Sequence, residues 1–223
     1  SIGFKDEPFF DETKYANLVA ARHKTNHTVF SLTNNDLYEH IHDMLDYLDE
    51  PFADSSALAV YILSQRTRQQ VTVALSGDGA DEMFGGYLYF HKAPNARAFH
   101  EECVRKIDAL HQFDCARANK AMMAWGVEAR VPFLDLQFLD LAMGMDAQAK
   151  MAGPGRIEKG VLREAFEGAL PPEILWRQKE QFSDGVGYGW IDGLKAHAEQ
   201  YVSDTMMAQA PLRFPINTPQ TKE

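Results

Sequence analysis

Over residues 1–90, short apolar runs alternate with stretches of helical period. Residues 1–4 (SIGF) read as the tail of a strand, and residues 11–23 place Tyr15, Leu18, Val19 and Ala20 at helical spacing. Residues 27–32 (HTVFSL) predict a second strand. Thr33 or Asn34 then caps a helix whose apolar stripe is Leu37, Ile41, Met44, Leu45 and Leu48. Asp49, Glu50 and Pro51 break the pattern and open the loop DEPFADSS, after which residues 56–69 resume a helix. Residues 71–75 (VTVAL), small or β-branched and apolar, predict a short strand buried on both faces, central in a parallel sheet. Strands alternating with helices predict an α/β fold with a doubly wound parallel sheet. Beyond Tyr87 no strand pattern returns, and residues 101–125 and 132–144 are helical in composition. The chain therefore divides into an α/β part, residues 1–90, and a helical part, residues 91–223.

Composition narrows the partners. Of 223 residues 45% are hydrophobic and 24% charged, with mean hydropathy −0.34, which is ordinary globular material. Lys plus Arg number 22 against 32 for Asp plus Glu, and the net charge of −10 argues against a nucleic-acid or anionic-membrane surface. An anionic substrate then needs a local basic pocket. Cys103 and Cys115 fit neither a chelating spacing nor a disulfide framework, so two reduced, partly buried thiols are expected. The histidines carry no metal-binding spacing, and the methionines read as core filler. With no long apolar run and no targeting pattern, a cytoplasmic location without a membrane partner is expected. A start inside a strand-like segment and an end at TKE both read as cut rather than natural.

The chemistry concentrates at the end of the VTVAL strand. Ser76, Gly77, Asp78 and Gly79 make a turn where backbone bends sharply and can approach a ligand. Asp81 and Glu82 follow at the start of a short helix, where carboxylates suit the helix dipole and could equally hold a divalent cation. Ligands of open α/β sheets gather outside the carboxyl ends of strands, which favours nucleotide chemistry here. A tight strand-to-helix turn with a capping Asp is the alternative.

Three further clusters admit two readings each. In DEPFADSS, Asp49, Glu50, Asp54, Ser55 and Ser56 precede a helix and either cap it or touch substrate beside the Ser76 turn. Glu128 and Arg130 in WGVEARVPFLD stand among apolar residues, where burying either unpaired is expensive, so a pairing is expected. Lys179 in WRQKEQFSDGVGYGW lies among Arg177, Glu180 and Asp184, as a surface lysine also would.

The run SGDGADEMFGGY resembles the signature of the asparagine synthase family, whose synthetase domain belongs to the ATP pyrophosphatase group of adenylating ligases. DEPFADSS, EARVPFLD, KGVLREAF, LPPEILWRQKEQFSDGVGY and FPINTPQTKE follow in family order, so the likeness runs almost end to end. From Leu88 onward it is similar to the glutamine-hydrolysing B-type branch, whereas SGDGADE in place of SGEGSDE is more like another bacterial branch.

The resemblance implies synthesis of asparagine from aspartate, ATP and glutamine-derived ammonia through β-aspartyl-AMP, with Mg2+ as cofactor. It implies that Ile2 contacts adenine and that Ser76, Gly77 and Gly79 bind nucleotide. Asp81 would ligate magnesium, and Asp78 would stand where the family has an acid linked to acyl-adenylate formation. Glu128 and Arg130 would border the active site. Arg177, Lys179 and Phe182 match the family's R-x-K-x-x-F pattern, with the lysine on the α-phosphate. The family's SGGxDS pyrophosphate loop, with the strand that carries it, and its glutaminase domain are expected to precede Ser1, so the chain alone is expected to be inactive. A homodimer is compatible with this reading. A sibling amidotransferase or β-lactam-synthetase-like ligase acting on another carboxylate, and a non-catalytic truncated domain, are the other readings.

Overall fold

Short strands flanked by helices bear out the alternation read over the first part of the chain. The computed structural model describes residues 1–5, 12–48, 52, 54–180 and 188–222, so the expectations for Asp11, Asp49, Glu50, Phe182 and Asp184 lie outside the described residues. Strand β1 (Ile2–Phe4) pairs in parallel with β2 (Phe30–Leu32), Ile2 opposite Phe30 and Phe4 opposite Leu32. A parallel pair needs a crossover, and α1 (Thr13–His23) is part of it. Lys24 ends α1 in the left-handed region at φ 52°. Strand β2 is shorter than the run 27–32 that predicts it.

Thr33 starts the next helix as expected: its hydroxyl accepts from the Asp36 amide while the Asp36 carboxylate accepts from the Thr33 amide, a reciprocal cap. The helix expected over the Leu37–Leu48 stripe is two, α2 (Asn34–Glu39) and α3 (Ile41–Tyr47), broken at His40. Helix α4 (Ser56–Thr67) is apolar nearly all round and accordingly buried, contributing Leu58, Ala59, Tyr61 and Ile62 to a core with Ile2, Phe4, Leu32 and Leu37.

Strand β3 (Val73–Leu75) pairs in parallel with β4 (Glu128–Arg130), Leu75 opposite Arg130. This corrects two expectations. A strand does return after Tyr87, and the residues EAR carry no apolar run that would announce it. Nor is β3 buried on both faces: Leu75 is 77% exposed, because helices cover only the face that carries Ala74 and Ala129.

The crossover from β3 to β4 runs through α5 (Ala80–Phe84), a 3-10 turn (Leu88–Lys92), α6 (Ala96–Ala109) and α7 (Asp114–Met123). Helix α7 lies on the covered face of β3 and β4 through Ala118 and Met122, and its Ala121 joins the core around α4. Cys103 is fully buried beside Phe90 and Phe99, and both cysteines are free thiols. Burial pushes the Cys103 thiol up to about 11.

The remaining described elements are helical: α8 (Leu136–Gly144), α9 (Ala147–Lys150), α10 (Gly160–Ala165), α11 (Pro172–Leu175), α12 (Tyr188–Tyr201) and α13 (Asp204–Arg213). Among the described residues the strands form two separate parallel pairs in a mixed, mostly helical α/β fold. The β3–β4 pairing joins residues from both sides of position 90.

Candidate active site

The turn after β3 is anchored first by backbone: the Ser76 amide donates to the Arg130 carbonyl at 2.8 Å, one step beyond the paired strands. Gly79 has φ 96°, a left-handed conformation that favours glycine, and a Cβ there would run into the Leu134 side chain. Between these points the Asp78 carboxylate accepts the Ser76 hydroxyl at 2.6 Å and the Arg117 guanidinium at 2.9 Å.

The turn forms one wall of a cleft of about 640 Å³, lined also by Asp54, Ser56, Asp81, Glu82, Tyr87, Asp114, Arg117 and Lys179. Lys179 reaches it through a buried relay. Glu158, 2% exposed, accepts the Lys179 amide and an Arg163 guanidinium N–H, each at 2.8 Å, and Arg163 also donates to the carbonyls of Leu175 and Arg177. Burial alone would raise the Glu158 pKa. Hydrogen bonds from backbone amides, Lys179 among them, and from His91, with the charge of Arg163, outweigh that and hold it below the usual carboxylate range.

The relay delivers the Lys179 Nζ to 3.4 Å from Asp81 Oδ2, and it brings the Lys159 Nζ to 2.9 Å from Oδ1 of the same carboxylate. Lys179 also donates to the Glu180 carbonyl at 2.7 Å. Asp81 Oδ1 makes no hydrogen bond despite that ion pair. Gly86 gives the carboxylate its room, since a Cβ there would sit 1.8 Å from Oδ1. Two ammonium groups around one largely buried carboxylate suit a bound polyanion. Carboxylate oxygens such as these are donor atoms of the type a hard cation takes alongside phosphate oxygens.

Deeper in the cleft, Glu82 is 2% exposed and accepts the Tyr87 hydroxyl. Burial raises the Glu82 pKa against the pull of that hydrogen bond, and burial with the neighbouring Glu82 raises that of Tyr87. A second cavity of about 550 Å³ adjoins the first, sharing Lys179 with it and lined also by Lys159, Arg163 and Arg177. Arg177 pairs with Glu12 at 2.7 Å and lies over the Tyr15 ring. The net-acidic chain thus has the local basic pocket that an anionic substrate would need.

Ser76, Gly77, Asp78, Gly79, Asp81 and Lys179 all line the cleft. Three other expected residues do not. Ile2 lies in the core beside Phe4, 9% exposed. Glu128 and Arg130 form the expected ion pair with each other at 2.8 Å, but on the uncovered face of β4, with side chains 58% and 62% exposed. Only the Arg130 backbone touches the turn. Of the loop residues, Asp54 accepts the Ser56 amide at 2.9 Å at the head of α4, and Asp54 and Ser56 line the cleft beside the Ser76 turn.

Arg117, Asp114, Lys159, Glu158 and Tyr87 are site residues that the sequence reading missed. Lys159 and Glu158 lie in or beside KGVLREAF, noticed only as an ordered motif, and Asp114 and Arg117 show a helical i,i+3 charge pair that any solvated helix could carry.

The profile of the family described as Asparagine synthase matches residues 1–98 and 92–215. The chain belongs to the asparagine synthase family. It is 50% identical over 226 residues to Asparagine synthetase B [glutamine-hydrolyzing] of Escherichia coli, covering 100% of this chain and 40% of that protein. It is 51% identical over 231 residues to Asparagine synthetase [glutamine-hydrolyzing] of Triphysaria versicolor, again covering all of this chain and 39% of the relative. Asparagine synthetase [glutamine-hydrolyzing] 2 of Arabidopsis thaliana is 50% identical over the same length and coverage. The chain thus spans about two fifths of these family members.

Proposed function

We propose that this chain is part of the ATP-dependent synthetase portion of a glutamine-hydrolysing asparagine synthetase, converting aspartate to asparagine through β-aspartyl-AMP with release of AMP and pyrophosphate. One observation carries the reading: Lys179, about a hundred positions after the Gly-rich turn, lines the same cleft as Ser76, Asp78 and Asp81. A side-chain carboxylate is a poor acylating group. Activation at the α-phosphorus of ATP brings two anions together, and the protein's task is to orient them and offset their repulsion.

The residues present fit that task. Ser76, Gly77 and Gly79 hold nucleotide against the turn. Lys179 and Lys159, already gathered at Asp81, turn their ammonium groups to phosphate oxygens and stabilise charge that grows at the α-phosphate. Asp81, once its two lysine partners turn to phosphate, would hold Mg2+, which neutralises phosphate charge when bound. Asp78 is the acid associated with acyl-adenylate formation. Ammonia derived from glutamine reaches the site from the glutaminase domain of the whole protein and displaces AMP. In the same reading the two parallel strand pairs belong to one doubly wound sheet of the ATP pyrophosphatase type. The roles of Ile2 toward adenine, and of Glu128 and Arg130 at the border of the site, rest on family likeness alone. No helix among the described residues is long and apolar enough to cross a membrane.

The test is aspartate-dependent exchange of pyrophosphate into ATP by the full-length protein, run against other carboxylic acids. Aspartate should be the acid that supports exchange, and Lys179→Ala should reduce it by about 100- to 1,000-fold, the usual cost of losing one transition-state donor. Near-normal exchange in the variant removes Lys179 from the chemistry. Preference for another acid points to a sibling ligase, and no exchange with any acid points to a non-catalytic domain.

A further inference from the structure

Arg117 lies in the middle of α7, and its guanidinium is 14% exposed where it meets carboxylates from three segments. One terminal nitrogen donates to Asp54 at 2.9 Å and to the Ser56 hydroxyl at 3.3 Å. The other donates to Asp78 at 2.9 Å and lies 2.6 Å from Asp114. Asp54 comes from the head of α4, Asp78 from the Gly-rich turn, and Asp114 from the first turn of α7 itself. Burial by itself would lower the Arg117 pKa, and the three aspartates more than offset it.

Asp78 needs such a partner. It stands between two glycines, so the local backbone is free to turn, and its carboxylate has Ser76 and Arg117 as hydrogen-bond partners. The Ser76 hydroxyl belongs to the same turn and moves with it, so among the described residues Arg117 is the hydrogen-bond partner that refers Asp78 to the rest of the molecule. Without the guanidinium, Asp78 would face the like charges of Asp54 and Asp114 across a partly buried space and lose the cation that bridges the three. The planar fork also fixes the separation of Asp54 from Asp78, one on each nitrogen. An ammonium, a point charge with rotatable donors, does not impose that geometry.

We propose that Arg117 is a positioning residue for the adenylation step: it sets the Asp78 carboxylate in the cleft and locks the Gly-rich turn to α4 and α7. The inference rests on the adenylation reading of the cleft.

The test is a double-mutant cycle in the full-length protein, read by aspartate-dependent ATP–pyrophosphate exchange. Arg117→Lys should lower the exchange rate at saturating substrate on the order of 100-fold, the size of effect that a displacement of about 1 Å can produce, with the KM for ATP within about threefold. If Arg117 acts through Asp78, Arg117→Lys introduced into Asp78→Asn should cost less than about twofold more. A structural residue would instead give losses that multiply, and multiplying losses overturn the proposal. So does near-full activity of Arg117→Lys. Arg117→Met, lacking both fork and charge, should be at least as impaired as the lysine variant while keeping the native circular dichroism spectrum. Failure of both Arg117 variants to fold makes the residue structural and also ends the proposal. Absence of exchange in the unsubstituted protein overturns the adenylation reading, and this inference with it. Active unsubstituted protein with a multiplicative cycle overturns this inference alone.

Discussion

The two parallel strand pairs share a length and an orientation and differ in almost everything else. In β1 every residue is buried, and Ile2 and Phe4 meet Leu32, Leu37 and α4 in an apolar core. In β3 and β4 only the face with Ala74 and Ala129 is covered, while Leu75, Glu128 and Arg130 point away from it. The first pair carries no cleft residue, and the second ends in the turn that builds the cleft. Three-residue parallel strands alone therefore imply no function. What distinguishes the second pair is the glycine-bearing turn at its carboxyl end and the charged side chains that converge there from α4, α7 and the segments around 158 and 179.

The sharpest way to break this comparison is at the strands themselves. Phe4→Ala should destabilise the fold by about 3–5 kcal/mol in urea unfolding, as expected for a buried aromatic cut to a methyl. Leu75→Ala, removing a side chain that is 77% exposed, should stay within about 0.5 kcal/mol. Equal losses at the two positions would show that the second pair is covered after all.

Glu158 comes next, because it connects the helical half to the cleft. Its pKa is held low in the fold, so its contribution is present above the unfolded value of about 4.3 and is lost as pH falls through the folded value. Glu158→Gln should cost about 2 kcal/mol near neutral pH, the range for hydrogen bonds to a charged group, and the deficit should shrink in acid as the parent loses the same contribution. A deficit that stays constant with pH would mean that packing, not ionisation, holds the relay. A smaller loss than that at Glu158 is expected at the reciprocal cap after β2: Thr33→Ala should lower stability by about 1 kcal/mol and leave nucleotide binding by the full-length protein unchanged, as measured by calorimetry. A loss of binding there would show that the first pair also shapes the cleft.

Much of this was readable in advance where one residue's local chemistry decides the outcome. Thr33 caps because its hydroxyl accepts the Asp36 amide while the Asp36 carboxylate accepts its own, and residues 56–67 form the helix that their sequence predicts. The turn at Ser76–Gly79 was visible from its glycines, and Lys179 from a motif. Strand β4 was not, since EAR has no strand pattern and becomes extended only by pairing with β3. The break at His40 interrupts a stripe that reads as continuous, and the exposure of Leu75 depends on which helices reach its face. Arg117 was missed because its partners lie 63 and 39 positions away, with nothing in the intervening chain to connect them.

The sequence by itself determined the family, the Gly-rich turn, the helix starts and the residue types available for binding an anion, because these depend on short motifs and on intrinsic backbone and side-chain preferences. Only the tertiary structure decided that Lys159 and Lys179 meet at Asp81, that Arg117 gathers Asp54, Asp78 and Asp114, and that Glu128 and Arg130 stay outside the cleft. Those outcomes are matters of distance between segments far apart in the chain, and helix packing and buried hydrogen bonds, rather than local preference, set that distance.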